Sequence, residues 1–411
     1  MKYLAIFLDT FSELAQHKLR TLLTLLGMIF GVGAVIAMLN IGEGAEAEAM
    51  KMIDSMGLHN LIIEGKVFEE KELQEQRKHS PGLSIRDGEI SARSLPFVTA
   101  FSAQKLIDTY SIFSGEGKSD GEATGVSASF FALSKFHVAQ GRLLNDSDDK
   151  NFSQVALLGS STAKQLFPKG NAIGQNIKIN HLWFKVVGVL QAPFLKKQEF
   201  QGIKLGGDQR QVFIPLKTAI HKFASKKLAS EVTSIKLKLD ESVDPISAAQ
   251  AVSHLLNRRH NEVDDYNLVI PAALLAQQKQ TQQIFNIVMS CVAGISLLVG
   301  GIGIMNIMLA TVLERTKEIG LLRAVGATQK DIRLQFIAES FTISIMGGIL
   351  GVFFGIMLSE LIALYSEWAV SWSTSAIILS FSICALVGLT FGVYPAIKAS
   401  KLDPIDALQS D

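Results

Sequence analysis

Gly117-Lys118-Ser119, within GEGKSDGE, is the end of a phosphate-binding loop, where backbone amides cradle phosphates and the lysine meets their charge. The full loop needs another glycine five residues ahead of Gly117, and Ile112 stands there instead. GVSASF resembles a nucleophile elbow but lacks the final glycine that forces its sharp strand-to-helix turn. The eight histidines form no H-E-x-x-H pair and no metal-ligand spacing with cysteine. Cys291 and Cys384 both fall in long apolar runs, where small packing residues are expected rather than redox partners. No catalytic, cofactor-binding or metal-ligating set is therefore expected, and the chain reads as a non-enzyme.

The composition explains where the weight of the sequence lies. The chain has 411 residues, of which 48% are hydrophobic and 19% charged, with a mean hydropathy of +0.29. That charged fraction sits below the ~25% of soluble globular chains. Lys+Arg 39 against Asp+Glu 38 leaves no global basic field, which excludes a generic nucleic-acid binder. Two cysteines exclude a disulfide scaffold and a cysteine-built zinc module.

Crossing ~30 Å of hydrocarbon takes about 20 apolar residues in a helix. Uncharged runs of that length lie between Arg20 and Glu43, between Lys279 and Glu314, from Ser340 to Ser359, and from Trp368 to Ile397. The first is too long for a signal-peptide core, and its leader is too long and too mixed in charge. The glycine content and lack of charge of the others disfavour buried soluble helices. Four spans are expected, at 21–42, 284–313, 340–359 and 376–397. The expected fold is thus an α-helical membrane protein with four transmembrane helices and a large α+β head between spans one and two.

Lysine and arginine near the span ends set the orientation. Lys2, Lys18 and Arg20 precede span one; Arg315, Lys317, Arg323, Lys330 and Arg333 separate spans two and three; Lys398 and Lys401 follow span four. The short 360–375 loop carries Glu360 and Glu367 and no basic residue. An amphipathic segment 1–20, a segment 314–339 and the tail 398–411 are therefore expected in the cytoplasm, with 43–283 and 360–375 outside.

Within 43–283, EGAEAEAMKMIDSM extends the first helix to a stop at Gly57, and Pro271 opens a polar helix that runs into span two. These extensions read as stalks for the head. QVALLG and VTSIKLKL read as strands, the latter at an edge or half-buried, and NIKINHLWFKVVGVL as a hairpin turning at Asn180–His181. Asp244–Pro245 opens a helix with Ala249, Val252 and Leu256 on one face. Lys66 to Gly82, charged and without period, reads as a solvated loop.

Two features remain as working parts. Gly347, Gly351 and Gly355 recur every four residues in span three, and Gly27 and Gly31 in span one. Such stripes let helices approach closely where lipid supplies no hydrophobic drive; whether the partner is another span or a second protomer is open. The cytoplasmic stretch ERTKEIGLLRAVGATQKDIRLQF breaks at Gly326, and Thr328 with Asp331 can cap the next helix. It reads either as a linker lying on headgroups or as a docking element. In the docking case Glu314, Arg315, Lys317, Glu318 and Arg323 supply polar contacts, while Ile319, Leu322 and Val325 fill a groove on the partner.

GGIGIMNIMLATVLERTKEIGLLRAVGATQKDI (300–332) and YPAIKASKLDPIDAL (394–408) resemble the signatures of MacB-type ABC transporter permeases, relatives of the lipoprotein-releasing and FtsX-type permeases. The opening HKLRTLLTLLGMIFGVGAVIAMLNIGEGA and the head motifs GEATGVSASFF and QVALLGSSTAKQLFPKGNAIGQNIKI are similar too. The resemblance implies a two-lobed periplasmic core, a bacterial inner-membrane location and a second permease protomer, identical or related. It implies that ATP and magnesium are bound by a cytoplasmic ABC ATPase subunit, since no ATPase domain is recognised in this chain. ATPase closure would rock the spans and move the heads, a mechanism of mechanotransmission. Export with a periplasmic adaptor and an outer-membrane channel is one implied role; FtsX-like regulation of a periplasmic enzyme is the alternative.

Overall fold

The computed structural model describes residues 18–134, 136–191, 199–200, 203–204, 210–366, 372 and 374–409. Segment 1–17, expected as cytoplasmic and amphipathic, lies outside them. The chain divides into two compact units, a head of residues 49–278 and a span unit comprising the rest.

Four helices are long and apolar enough to cross a membrane. They are α1 (Lys18–Met56), α9 (Pro271–Glu314), α11 (Gln329–Ser366) and α12 (Thr374–Ser400). The 44 residues of α9 extend about 66 Å, twice what the hydrocarbon needs. Gly57 ends α1 at φ +82°, a left-handed stop that a Cβ would disfavour. The loop expected at 360–375 is shorter, because α11 stays helical through Ser366.

The head is built on one twelve-stranded sheet. Its strands are β1 (Asn60–Gly65), β2 (Val98–Ile107), β3 (Ile112–Phe113), β4 (Lys118–Ser119), β5 (Glu122–Val126), β6 (Val138–Gly141), β7 (Val155–Leu158), β8 (Asn176–Ile179), β9 (Leu182–Leu190), β12 (Gln211–Pro215), β13 (Ser234–Leu239) and β14 (Tyr266–Val269). The order is β14-β1-β13-β2-β5-β12-β7-β9-β8-β3-β4, with β6 on β9. A separate pair, β10 (Glu199–Phe200) and β11 (Ile203–Lys204), is antiparallel. In the main sheet β5–β12 and β7–β9 are parallel, and the other pairings are antiparallel. Helices α2 (Glu70–His79), α3 (Ile85–Ser94), α4 (Ser129–Leu133), α5 (Asp146–Lys150), α6 (Ser160–Leu166), α7 (Leu216–Lys222) and α8 (Pro245–Arg259) complete it.

Asn180, at φ +52°, turns β8 into β9 with Ile179 opposite Leu182, the hairpin read from the sequence. Asp244 caps α8 by accepting from the Ser247 amide, and Ala249, Val252 and Leu256 are buried on its inner face.

Two expectations are corrected. Residues 70–79 of the expected loop form α2, whose acidic first turn and basic last turn suit the helix dipole. Its residue types carry no apolar stripe, because the helix is held by arginine contacts rather than a buried face. Strand β13 is interior, paired to both β1 and β2. Alternation marked it as half-buried, and Lys238 is exposed, yet Ser234 and Lys236 are covered too: Lys236 donates to Ser134 Oγ at 2.9 Å and lies over the Phe130 ring.

Candidate functional site

The segment between spans two and three is a helix–turn element. Helix α9 breaks at Arg315, α10 (Thr316–Ala324) follows, and Gly326 at φ +113° reverses the chain. Thr328 Oγ1 donates to Asp331 Oδ2 at 2.6 Å and accepts from the Asp331 amide, the reciprocal cap that starts α11. Arg315 Nε pairs with Glu318 at 3.1 Å, and its Nη1 lies 3.6 Å from the buried Glu339 on α11. That ion pair fixes the break in α9 against the start of span three.

The candidate docking residues separate by burial. Leu322 and Val325 are exposed, as are Glu314, Lys317 and Glu318, and Leu321 joins them. Ile319 differs: it is buried in the core of its own span unit with Ile332 and Phe336, so it cannot enter a partner's groove. Arg323 also differs, since its guanidinium turns back on the chain and donates to the carbonyls of Ser400 and Leu402 at 3.2 and 2.5 Å. A spacing of three on a helix puts Ile319, Leu322 and Val325 near one face, but α10 rolls so that only its middle turn is buried.

The glycine stripes meet other spans of the same chain. A Cβ at Gly351 would stand 2.7 Å from Val32 Cβ, and one at Gly347 3.2 Å from Met28 Cβ. A Cβ at Gly355 would stand 2.8 Å from the Gly33 carbonyl. A Cβ at Gly27 would stand 3.1 Å from Gly300 Cα of α9, and one at Gly31 3.1 Å from Leu297 Cδ2. Helix α1 is thus in close contact with α11 on one side and α9 on the other.

In the head, the phosphate-loop fragment is a tight β3–β4 link. The Gly117 amide donates to Ser114 Oγ at 2.9 Å and its Cα abuts the Gln165 carbonyl, so no amide cradle forms. A buried polar cluster does exist elsewhere. His260 is 1% exposed; its Nδ1 is 2.6 Å from Asp265 Oδ1 and its Nε2 3.5 Å from Asp87 Oδ2. Ser80 Oγ donates to Asp265 at 2.6 Å, Arg77 lies 3.3 Å from Asp265, and Arg259 2.6 Å from Asp87. The types are those of a hydrolytic triad, but the geometry is not. Ser80 Oγ lies 3.2 Å from His260 Nδ1, but that nitrogen is engaged more closely by Asp265 at 2.6 Å and the serine proton goes to the same carboxylate, so the imidazole is not set as a base for the hydroxyl. Among the described residues no group of three His, Cys, Asp or Glu could hold a metal ion.

Burial opposes charge on His260, but Asp265 and Asp87 more than offset it and push its pKa up to about 9. Burial would raise Asp87 and Asp265; hydrogen bonds from His260 to both, with Arg259 and Ser84 on Asp87 and Ser80 on Asp265, hold them low instead. A histidine raised above its unfolded value near 6.5 contributes stability that is complete below that pH and lost as pH climbs through about 9. Lys236, lowered by burial to about 8, acts oppositely: the cost of burying its charge is full below that pH and is relieved as pH climbs toward the ordinary lysine value. The head's melting temperature should therefore fall by only about 2 °C from pH 7 to 9, because relief at Lys236 offsets much of the His260 loss, and His260→Gln should reverse that slope. An unchanged slope in the variant would remove His260 as its source.

The MacB-like periplasmic core domain family matches residues 21–255, and the FtsX-like permease C-terminal family matches residues 290–404. The first match alone takes in more than half of the chain. The chain belongs to the MacB-like permease family. A macrolide export ATP-binding/permease protein MacB of Bdellovibrio bacteriovorus is 34% identical over 97% of this chain and 60% of its own length. A MacB of Shewanella sp. strain ANA-3 is 33% identical over 96% of this chain and 59% of its own. The chain thus spans about three fifths of the curated relatives it matches. The crystal structure of the periplasmic region of MacB from Actinobacillus actinomycetemcomitans has a TM-score of 0.44 at 20% identity, covering 56% of this chain and 95% of that one.

Within this MacB-like permease, the sequence reading found neither the His260 cluster nor the helix within the tail. Arg77 and Asp87 lie far along the chain from His260 and Asp265, and the four share no motif. The tail helix α13 (Pro404–Gln409) had a signal in Asp403–Pro404, a helix start.

Proposed function

We propose that this MacB-like permease couples ATP hydrolysis by a cytoplasmic ABC ATPase subunit to conformational work outside the inner membrane, most directly export of a drug, peptide or lipoprotein. Magnesium and ATP belong to that partner, and a second permease protomer completes the transporter. The observation that carries the reading is the exposed apolar face of α10 at the junction of two spans. Leu321, Leu322 and Val325 stand in water there, ringed by Lys317 and Glu318. Apolar anchors inside a charged rim are the usual anatomy of a docking site. A stroke received at α10 acts at once on α9 and α11, and α9 runs unbroken from Glu314 back to Pro271 in the head. That continuity supports mechanotransmission over a pore, as does the absence of charged residues from the four apolar runs.

Co-purification from the native host should yield an ABC ATPase subunit. Leu322→Ala should weaken its association by ~1–3 kcal/mol, while Lys330→Ala changes little. Undiminished binding and coupled ATP turnover in Leu322→Ala would defeat the docking assignment. A partner set of periplasmic adaptor and outer-membrane channel would favour export; a bound cell-wall hydrolase would favour FtsX-like regulation.

A further inference from the structure

The tail is tied to α10 more firmly than its length requires. A Cβ on Gly320 would stand 2.8 Å from Ala407 Cβ and 3.4 Å from the Pro404 carbonyl, so α10 and α13 touch almost backbone to backbone. Arg323 donates to the carbonyls of Ser400 and Leu402, and Arg333 Nε donates to Ser400 Oγ at 2.9 Å. Asp403 caps α13 by accepting from the Ile405 amide at 2.9 Å. A six-residue helix does not persist in water alone, so these ties hold it.

What the ties present is apolar. Ala407 turns inward and is buried, while Ile405, 68% exposed, and Leu408 face outward. They stand on the helix packed beside exposed Leu321, Leu322 and Val325. We propose that α13 is the second half of the cytoplasmic docking surface, so that the ATP-hydrolysing partner seats on α10 and α13 together, with Ile405 and Leu408 as anchors. This rests on the docking role proposed above for α10.

A lipid surface fits the tail poorly. Helices that lie on membranes carry basic residues on their polar face, and the cytoplasmic leaflet is anionic. PIDALQ has no basic residue, and Asp406 is exposed between its two apolar anchors. A protein groove takes apolar anchors beside a carboxylate without that repulsion. The ATPase is the protein chosen because α13 packs directly on α10, the element read above as its dock, and the relatives' printed names join ATP binding to a permease. The arrangement would also widen the stroke. Helix α10 joins α9 to α11 and α13 follows α12, so one seat would load three spans through the Arg323 ties.

The test measures binding of the co-purified ATPase subunit to the full chain in micelles free of anionic lipid. Ile405→Ala/Leu408→Ala leaves the buried Ala407 contact and both arginine ties intact, so the tail should stay seated. At least tenfold weaker binding is expected, comparable to Leu322→Ala. A photo-crosslinker at position 405 should join the ATPase subunit. If Leu322→Ala weakens binding while the tail variant binds normally and the crosslink is absent, α13 is not part of the seat and the α10 reading survives. If neither variant weakens binding, both fall.

Discussion

Gly351→Leu is expected to prevent the span unit from packing, with folded yield and melting temperature in detergent collapsing together. A Cβ alone at this position would stand 2.7 Å from Val32 Cβ and 3.3 Å from the Ile29 carbonyl, closer than side chains tolerate. A leucine adds three more carbons aimed at the backbone of α1. Overfilling a packed contact costs about 1–3 kcal/mol when neighbours can shift. Here they cannot shift freely, because α1 is held on its other side by Gly27 against Gly300 and Gly31 against Leu297. Lipid offers no hydrophobic drive to restore the contact once α1 is displaced. Gly294→Leu is the matched control, since a Cβ at Gly294 meets nothing within 4 Å. Gly351→Ala should lie between. If Gly351→Leu melts with the control, the stripe is ordinary membrane glycine.

The parts of the fold that sequence exposed are those written in local pattern. Uncharged runs marked the spans, Pro271 and Asp244–Pro245 marked helix starts, and Gly57, Asn180 and Gly326 marked places where the backbone turns left-handed. Lys66 to Gly82 failed because α2 has no apolar stripe; Arg77 holds it through Leu228, Ser230 and Asp265, all far along the chain. Strand β13 was misplaced because period alone cannot say that α4 and Ser134 cover its polar side. In the segment between spans two and three, spacing grouped Ile319 with Leu322, yet α13 seats against Gly320 and Ile319 is buried in the core of the span unit. That contact joins Gly320 to Ala407, nearly ninety positions along the chain, and no local rule carries it.

Asp265→Ala should destabilise the head by ~3–5 kcal/mol at pH 7, the cost of stranding a buried charge. Asp265 accepts from His260 Nδ1 and Ser80 Oγ at 2.6 Å each and faces Arg77 at 3.3 Å. Removing it leaves the cation of His260, 1% exposed, with only Asp87 at 3.5 Å, itself already engaged by Arg259. His260 can respond by losing its proton, which recovers part of the loss but leaves a ring nitrogen without an acceptor. Because the groups act as one network, Asp265→Ala/His260→Leu should cost less than the sum of the single variants. The unfolding signal should appear first in α2 and β14, which the cluster joins through Arg77 and the strand's neighbouring Asp265. Hydrogen exchange on the full chain in detergent reads this directly: amides of 70–79 and 266–269 should exchange at least tenfold faster in Asp265→Ala, with those of β7 and β9 far less affected. Uniform exchange across the head, or a loss below about 1 kcal/mol, would reduce the cluster to an incidental set of hydrogen bonds.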